Sequence, residues 1–397
     1  RILYKENDSI RLYRMKKKIL FCCYGIGVGG IERCMINLLN AIDYTRYDID
    51  LLPMNPEYGM LPNLKAKVNL LNPADYVMDT ENTVGEMRKR KARIADYARY
   101  LLFRIRNKWR WKPWKMFHAP DNTYDIAIAY AHTGYVPYYV IDQINARKKY
   151  MWHHEGRYVI EKRYMLDKQY YPRFDSIIAV SNGDRDILLE VFPELSNKIK
   201  VLYNIVDWRE IKTKAQERVL FSKKPDVQQL VTVGRLTHQK GPDILLKTAQ
   251  MLAQDGIPFQ WFWIGDGDMA ASSKEKCHEY GLEDKVIFEG NQANPYPYIK
   301  LCDIYIQPSY YEAYCTTTIE AKVLQKPIVV TDVCGMREQF KHGETALIVG
   351  VKPEEIYAAI KQLITQDGLK EYLMDNLKKQ TNPMECLLSK YYQLFDE

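Results

Sequence analysis

No run of apolar residues in this sequence approaches the roughly eighteen needed to cross a bilayer, and the longest, such as Ile126–Tyr130, are strand-sized. The chain is therefore not expected to span a membrane. Residues 1–14 are polar and basic with no apolar segment, so they do not read as a secretory leader. Met15 reads as a natural start, and 1–14 as an extension outside the fold, whether an expression remnant or a loosely ordered arm. The cysteines (Cys22, Cys23, Cys34, Cys277, Cys302, Cys315, Cys334, Cys386) are scattered, with no CxxC and no Cys/His cluster at metal-ligand spacing. Cys22 and Cys23 lie in a strand-like run that sends them to opposite faces and disfavours a bridge between them. Reduced core cysteines in a reducing cytoplasm are the expectation. Short-period repeats and low-complexity tracts are also missing.

Charge is present but uneven. The net charge is +7, yet the segment from Glu86 to Lys115 holds twelve Lys or Arg against two acids, which leaves the rest of the chain at −3. Within it, Ile94, Tyr97, Leu101, Leu102 and Ile105 have helical spacing, and Trp109, Trp111 and Trp114 follow. Cations beside Trp and Leu suit anionic lipid headgroups, at roughly 1 kcal/mol per Lys or Arg. Those three tryptophans are the expected membrane contacts; an ordinary basic helix packed on its domain is the alternative. Nucleic acid is not expected, because no nucleic-acid-binding motif accompanies the charge.

At 397 residues the chain exceeds the size at which one core usually keeps growing, and its 47% hydrophobic content suffices for two. From Lys16 on, short β-rich runs alternate with helical patterns, which predicts parallel βαβ units and an α/β fold. Strands are expected at Lys18–Tyr24, Asp48–Leu52, Asp125–Ala129, Lys149–Trp152, Ser176–Val180 and Lys200–Tyr203, closing a first domain (15–205). The charged stretch within 206–226 reads as a linker. A second series (227–382) should hold strands at Gln229–Val233, Gln260–Ile264, Lys285–Glu289, Ile304–Gln307 and Pro327–Thr331. Leu387, Leu388, Tyr391, Tyr392 and Phe395 predict a last helix (383–397) that packs back across the molecule.

Three places carry chemistry. Gly25, Gly27 and Gly30 match GxGxxG between a strand and a helix, the dinucleotide fingerprint, but the second strand runs into Pro53, Met54 and Asn55 where a nicotinamide-binding domain would place an acid. In the second half, Gly234 and Arg235, then Lys240 and Gly241, follow a strand; paired cations at a strand end suit a diphosphate whose charge grows as it leaves. Glu312 and Glu320 form an Ex7E pattern that spans just over two helical turns, so both could reach one ligand, and Thr316–Thr318 suits a helix start that favours a pyrophosphate.

In order and spacing, GRLxxxKG from Gly234, IGDGD at 264–268, the stretch from Asn294 to Ala321 and the N-terminal GGIER resemble the retaining glycosyltransferases of the GT-B fold. This family 4-like set, the glycosyl transferases group 1, includes bacterial capsule, exopolysaccharide and lipopolysaccharide enzymes. The resemblance implies two Rossmann-like domains facing across a cleft, the first binding acceptor and the second a nucleotide-sugar donor. It places Arg235 and Lys240 on the donor diphosphate, Glu320 on the ribose and Glu312 on donor-sugar hydroxyls. Gly29 and Gly30 approach that sugar, while Gly234, Gly265, Gly267 and Ala313, Tyr314, Cys315, Thr316 and Thr317 belong to the donor pocket. Cys315 is implied as a pocket wall rather than a nucleophile. His153 matches the histidine that faces sugar and acceptor, with His154 the competing assignment; Asn204 and Asp207 match a turn at the hinge.

The implied reaction retains anomeric configuration, needs no metal or other cofactor, and takes a nucleotide sugar as co-substrate and a glycan or polyprenyl-linked acceptor. Its implied setting is the cytoplasmic face of the plasma membrane. A non-catalytic nucleotide-sugar binder and an NAD-dependent oxidoreductase are the alternatives.

Overall fold

The computed structural model describes residues 16–74, 97–98, 100–102, 104–105, 112–132, 134–158, 163–218 and 224–397. Two sheets organise the chain, and every strand pair in both is parallel. The first contains β1 (Lys17–Cys23), β2 (Tyr47–Pro53), β3 (Asn69–Leu70), β4 (Tyr124–Ala129), β5 (Ala146–His153), β6 (Ser176–Ala179) and β7 (Ile199–Val201), in the order β3-β2-β1-β4-β5-β6-β7. The second contains β8 (Gln228–Val233), β9 (Phe259–Ile264), β10 (Val286–Gly290), β11 (Ile304–Gln307), β12 (Ile328–Thr331) and β13 (Leu347–Val349), in the order β10-β9-β8-β11-β12-β13.

Each sheet is buried on both faces, as parallel sheets with helical crossovers must be. On β1, Leu20 and Cys22 enter one core cluster while Ile19, Phe21 and Cys23 enter the other, so the adjacent cysteines do face opposite ways. On β9, Trp261 and Trp263 are fully buried on one face; their indoles donate to Thr232 Oγ1 (3.0 Å) and to the Gly234 carbonyl (2.8 Å). In both sheets the order of strand addition reverses next to the first strand: between β1 and β4 in one, between β8 and β11 in the other. Ligands of open α/β sheets bind at such switch points, outside the carboxyl ends of the strands.

The helix Met384–Asp396 sends Tyr391, Leu394 and Phe395 into the core of the first sheet, and Lys17 Nζ donates to the Phe395 carbonyl at 2.8 Å. The stretch read as a linker contains a helix, Trp208–Lys214. Asp207 caps it by accepting from the N–H groups of Arg209 (2.9 Å) and Glu210 (3.0 Å), and Ile211 is its buried anchor.

Trp114 corrects the lipid expectation. It is buried in the first core, its indole donating to Asp142 at 3.0 Å and its ring packed among Tyr135, Tyr138 and Tyr170. A side chain so enclosed does not reach a membrane. Trp109 and Trp111 lie outside the described residues. Upstream, Leu101, Leu102 and Ile105 are exposed on a helical segment. No described helix is long and apolar enough to cross a membrane.

Candidate active site

The site is assembled from the two switch points. At the end of β8 the chain turns through Gly234 and Arg235, and a short turn later Lys240 enters the helix that begins at Pro242. Gly241 has φ of 70°, and a Cβ there would stand 2.1 Å from the Pro308 carbonyl oxygen, so only glycine lets this turn press against the loop after β11. Backbone bonds hold the two loops together: Tyr310 N donates to the Gln239 carbonyl at 2.8 Å, and Gln239 Nε2 to the Tyr311 carbonyl at 3.1 Å.

This docking brings Lys240 Nζ to 2.6 Å from Glu312 Oε1. Behind the pair runs a buried chain in which Gln307 Nε2 donates to Ser309 Oγ (3.1 Å) and Ser309 Oγ to Glu312 Oε1 (2.7 Å). Burial works against the Lys240 charge, but Glu312 and then Cys315 outweigh it and leave the pKa raised, so the ammonium persists. The helix Thr316–Val323 starts beside this pair, where first-turn N–H groups lack intrahelical partners. A cavity of about 170 Å³ is lined by Arg235, Lys240, Glu312, Cys315, Thr316 and Thr317 from the second half, by Gly234, Ala313 and Tyr314 around them, and by Gly30, His154 and Asn204 from the first. A Cβ at Gly30 would meet nothing within 4 Å, so its bareness leaves room for a ligand.

Glu320 does not point into this space. It is buried on the same helix and faces Arg33 from the other half: Arg33 Nη1 lies 3.6 Å from Glu320 Oε1 and donates to the Tyr296 hydroxyl at 2.8 Å. Burial raises its pKa, against the opposing pull of Arg33, and Oε2 is buried with no partner. Arg33 and Ser309 are the two residues here that sequence reasoning passed over, although Arg33 stands inside the quoted GGIER.

Of the paired histidines it is His154 that lines the cavity. His153 is the last residue of β5, fully buried, its Nδ1 at 2.8 Å from Asp184. His154 is driven down to about 3 by burial and then by His132, so its ring is neutral at pH 7. Gly265 and Gly267 pack closely against the turn that carries Arg235. A Cβ at Gly265 would lie 2.1 Å from the Gly234 carbonyl oxygen and one at Gly267 2.3 Å from that of Leu236, so these glycines serve the packing of the Arg235 loop. Asn204 joins the cavity wall, whereas Asp207 is the helix cap described above.

The glycine loop after β1 borders a second cavity of about 340 Å³, shared with Gly29, Gly30 and Arg235. Its glycines make room for the chain's own carboxylates. Glu57 Oε2 lies 2.9 Å from where a Cβ of Gly27 would be, and Glu32 Oε2 2.2 Å from that of Gly29. Burial raises the Glu32 pKa, and Glu57 adds to this. A dinucleotide pyrophosphate would meet two acids here, which removes the support for the oxidoreductase reading.

The halves also touch directly. Ser181 Oγ donates to the Ala313 carbonyl at 2.8 Å, Glu338 accepts from Asn182, Gly183 and Tyr203, and the Arg157 guanidinium stacks 3.8 Å from the Tyr311 ring centroid.

Comparison with known proteins agrees with this architecture. The family described as glycosyl transferases group 1 matches residues 212–380. An uncharacterized glycosyltransferase of Methanocaldococcus jannaschii is 28% identical over 235 residues, covering 56% of this chain and 60% of the relative. The N-acetylgalactosamine-N,N'-diacetylbacillosaminyl-diphospho-undecaprenol 4-alpha-N-acetylgalactosaminyltransferase of Campylobacter jejuni is 28% identical over 210 residues, covering 52% and 56%. The matched region thus spans little more than half the length of these curated relatives. Among solved structures, Anabaena HepE in complex with UDP and glucose superposes with a TM-score of 0.71 at 16% identity, over 96% of this chain and all of that one (100%). Residues 212–380 thus match the glycosyl transferases group 1, and the chain has a two-sheet fold of the GT-B type.

Proposed function

We propose that the protein transfers a sugar from a nucleotide-sugar donor, UDP- or GDP-linked, to a hydroxyl of a glycan or lipid-linked acceptor. The observation that carries this reading is the convergence of Arg235, the Lys240–Glu312 pair and the start of the Thr316–Val323 helix on one cavity at the switch point of the second sheet. Cations and helix N–H groups fixed before the reaction stabilise the charge that grows on a departing diphosphate. They supply that charge stabilisation without a metal at the phosphates.

In the proposed step the bond from the anomeric carbon to the phosphate oxygen breaks as the acceptor oxygen bonds to the same face. The acceptor proton passes to the leaving phosphate, so configuration is retained. Glu312 holds the sugar hydroxyls; Glu320 takes the ribose once Arg33 yields it. His154 rather than His153 faces the sugar, and its neutral ring can donate or accept there. Closure of the halves across Gly30 excludes water and suppresses donor hydrolysis. A screen of UDP-, GDP- and dTDP-sugars for thermal stabilisation and turnover tests the reading, and Arg235→Ala is expected to lower kcat/KM by about 10²-fold. Stabilisation by nicotinamide dinucleotides instead, or an unchanged rate in Arg235→Ala, would overturn it.

The lipid-linked acceptor is supported by the Campylobacter relative, whose name specifies a diphospho-undecaprenol substrate. With such an acceptor the protein would work at the inner face of the plasma membrane, in bacterial surface polysaccharide synthesis. The basic segment 86–115 with exposed Leu101, Leu102 and Ile105 supports peripheral contact there. Changing these three together to Ser should release the protein from anionic liposomes, and unchanged co-sedimentation would remove the membrane contact.

A further inference from the structure

Behind the cavity, on the first sheet, lies a polar cluster that the transfer reaction does not use. The loop after β4 carries His132, the end of β5 carries His153, and the loop that follows carries Glu155. One ligand atom of each lies within 4.8 Å of the other two, the one such group of His, Cys, Asp and Glu among the described residues. His132 Nε2 stands 2.9 Å from Glu155 Oε2. His153 is fully buried, and its Nδ1 meets Asp184 Oδ1 at 2.8 Å. Asp184 also accepts from the N–H groups of Gly156 (3.0 Å) and Val180 (3.3 Å), so it is a fixed carboxylate acceptor and Nδ1 carries the proton. With Nδ1 held by Asp184, the other ring nitrogen, Nε2, is buried with no partner. A ring nitrogen left without a partner in the interior is costly for a protein, and a metal ion is one group that would satisfy it.

We propose that His132, His153 and Glu155 bind a divalent transition cation of the zinc type, with Asp184 as the outer carboxylate that orients His153. Two imidazoles and a carboxylate are a ligand set suited to zinc. Zinc–ligand bonds of about 2.0–2.1 Å place tetrahedral ligands about 3.3 Å apart, so the three side chains close inward by about 1 Å or less. The His154 N–H to His132 Nδ1 contact, long at 3.4 Å, is given up as that nitrogen takes the proton and Nε2 turns its lone pair to the ion. Glu155 Oε1 keeps its contact with Arg157 at 3.5 Å, and the carboxylate is about a third exposed (34%), which gives the ion a way in and a fourth position open to water or solute.

His154 lies between two of the ligands in sequence and lines the cavity, so an ion here pins the loops after β4 and β5 and fixes the placement of that ring. The site rests on the first sheet alone and not on the donor reading. Chelator-treated protein titrated with zinc sulfate by calorimetry should take up one equivalent, and cobalt(II) in its place should give the visible bands of a tetrahedral complex. Glu155→Gln, at a partly exposed position, and His132→Gln should each weaken uptake about tenfold or more while circular dichroism and UDP affinity persist. Zinc uptake unchanged in both variants, or no uptake by the folded wild type, overturns the site. Loss of uptake on replacing the exposed His278, which pairs with Glu283, would assign the ion to the surface and overturn it equally.

Discussion

The two halves present the same architecture and opposite chemistry. Each is a parallel sheet whose order of strand addition reverses beside its first strand, with a glycine-bearing loop between that strand and a helix. After β1 the loop wraps Glu32 and Glu57; after β8 it carries Arg235 and Lys240. The switch point supplies a crevice in both cases, but the side chains around the second are the ones suited to a phosphate. What glycine spacing reports is backbone proximity, and the charge of the neighbouring side chains decides what that proximity is for. Each half also lends the other a cation: Arg33 reaches Glu320, and Arg235 borders the acid-lined cavity.

The sharpest way to break this contrast is to remove a cation from the second crevice. Lys240→Ala is expected to lower kcat/KM by about 10³-fold, because in the proposed reaction the lysine stands where diphosphate charge develops. It should also cost about 3 kcal/mol of stability, since Glu312 is left buried without its counter-ion. Lys240→Met with Glu312→Gln separates the two effects: the melting temperature recovers and the rate does not. A double variant that recovered activity would show the pair to be structural only.

A smaller effect concerns the cation lent across the cleft. Glu320 is buried and its pKa is raised, burial outweighing the pull of Arg33. As pH rises, the unfolded chain releases this proton first, at about 4.3, while the folded protein still holds it. Stability therefore declines with pH from there up to the folded pKa and is flat beyond. Glu320→Gln should flatten that part of the profile, measured by urea denaturation across a pH series. An unaltered slope would mean that Arg33 keeps the carboxylate ionised throughout.

Most of the architecture is legible in the residues because parallel strands are buried on both faces and read as short apolar runs; those expected from β1 to β12 lie within three residues of the observed ends. β3 and β13 are invisible because two or three residues carry no period, and Asn69–Leu70 is exposed besides. The helix Trp208–Lys214 is hidden by its charge, being held by one cap and one buried isoleucine. In the site, Arg235, Lys240 and Glu312 can be read from a strand end and a loop, which are local. The Arg33–Glu320 pair cannot, since it joins residues 287 positions apart across docked halves. The histidine pair turns on the position where β5 ends: His153 completes the strand and is buried against Asp184, and His154, one step beyond, reaches the cavity.

The smallest expected effect is the most direct test of the contrast itself. Glu57 is exposed, so its field is screened, and neutralising it by Glu57→Gln should alter UDP affinity by no more than about twofold. If the loop after β1 were a phosphate site held in check by its acids, the same change would raise affinity for a dinucleotide or diphosphate well beyond that. Calorimetric titration of UDP and of NADH against both proteins distinguishes the two. A gain for NADH would mean that glycine spacing after β1 does mark a phosphate loop, and that the acids beside it tune the site instead of excluding it.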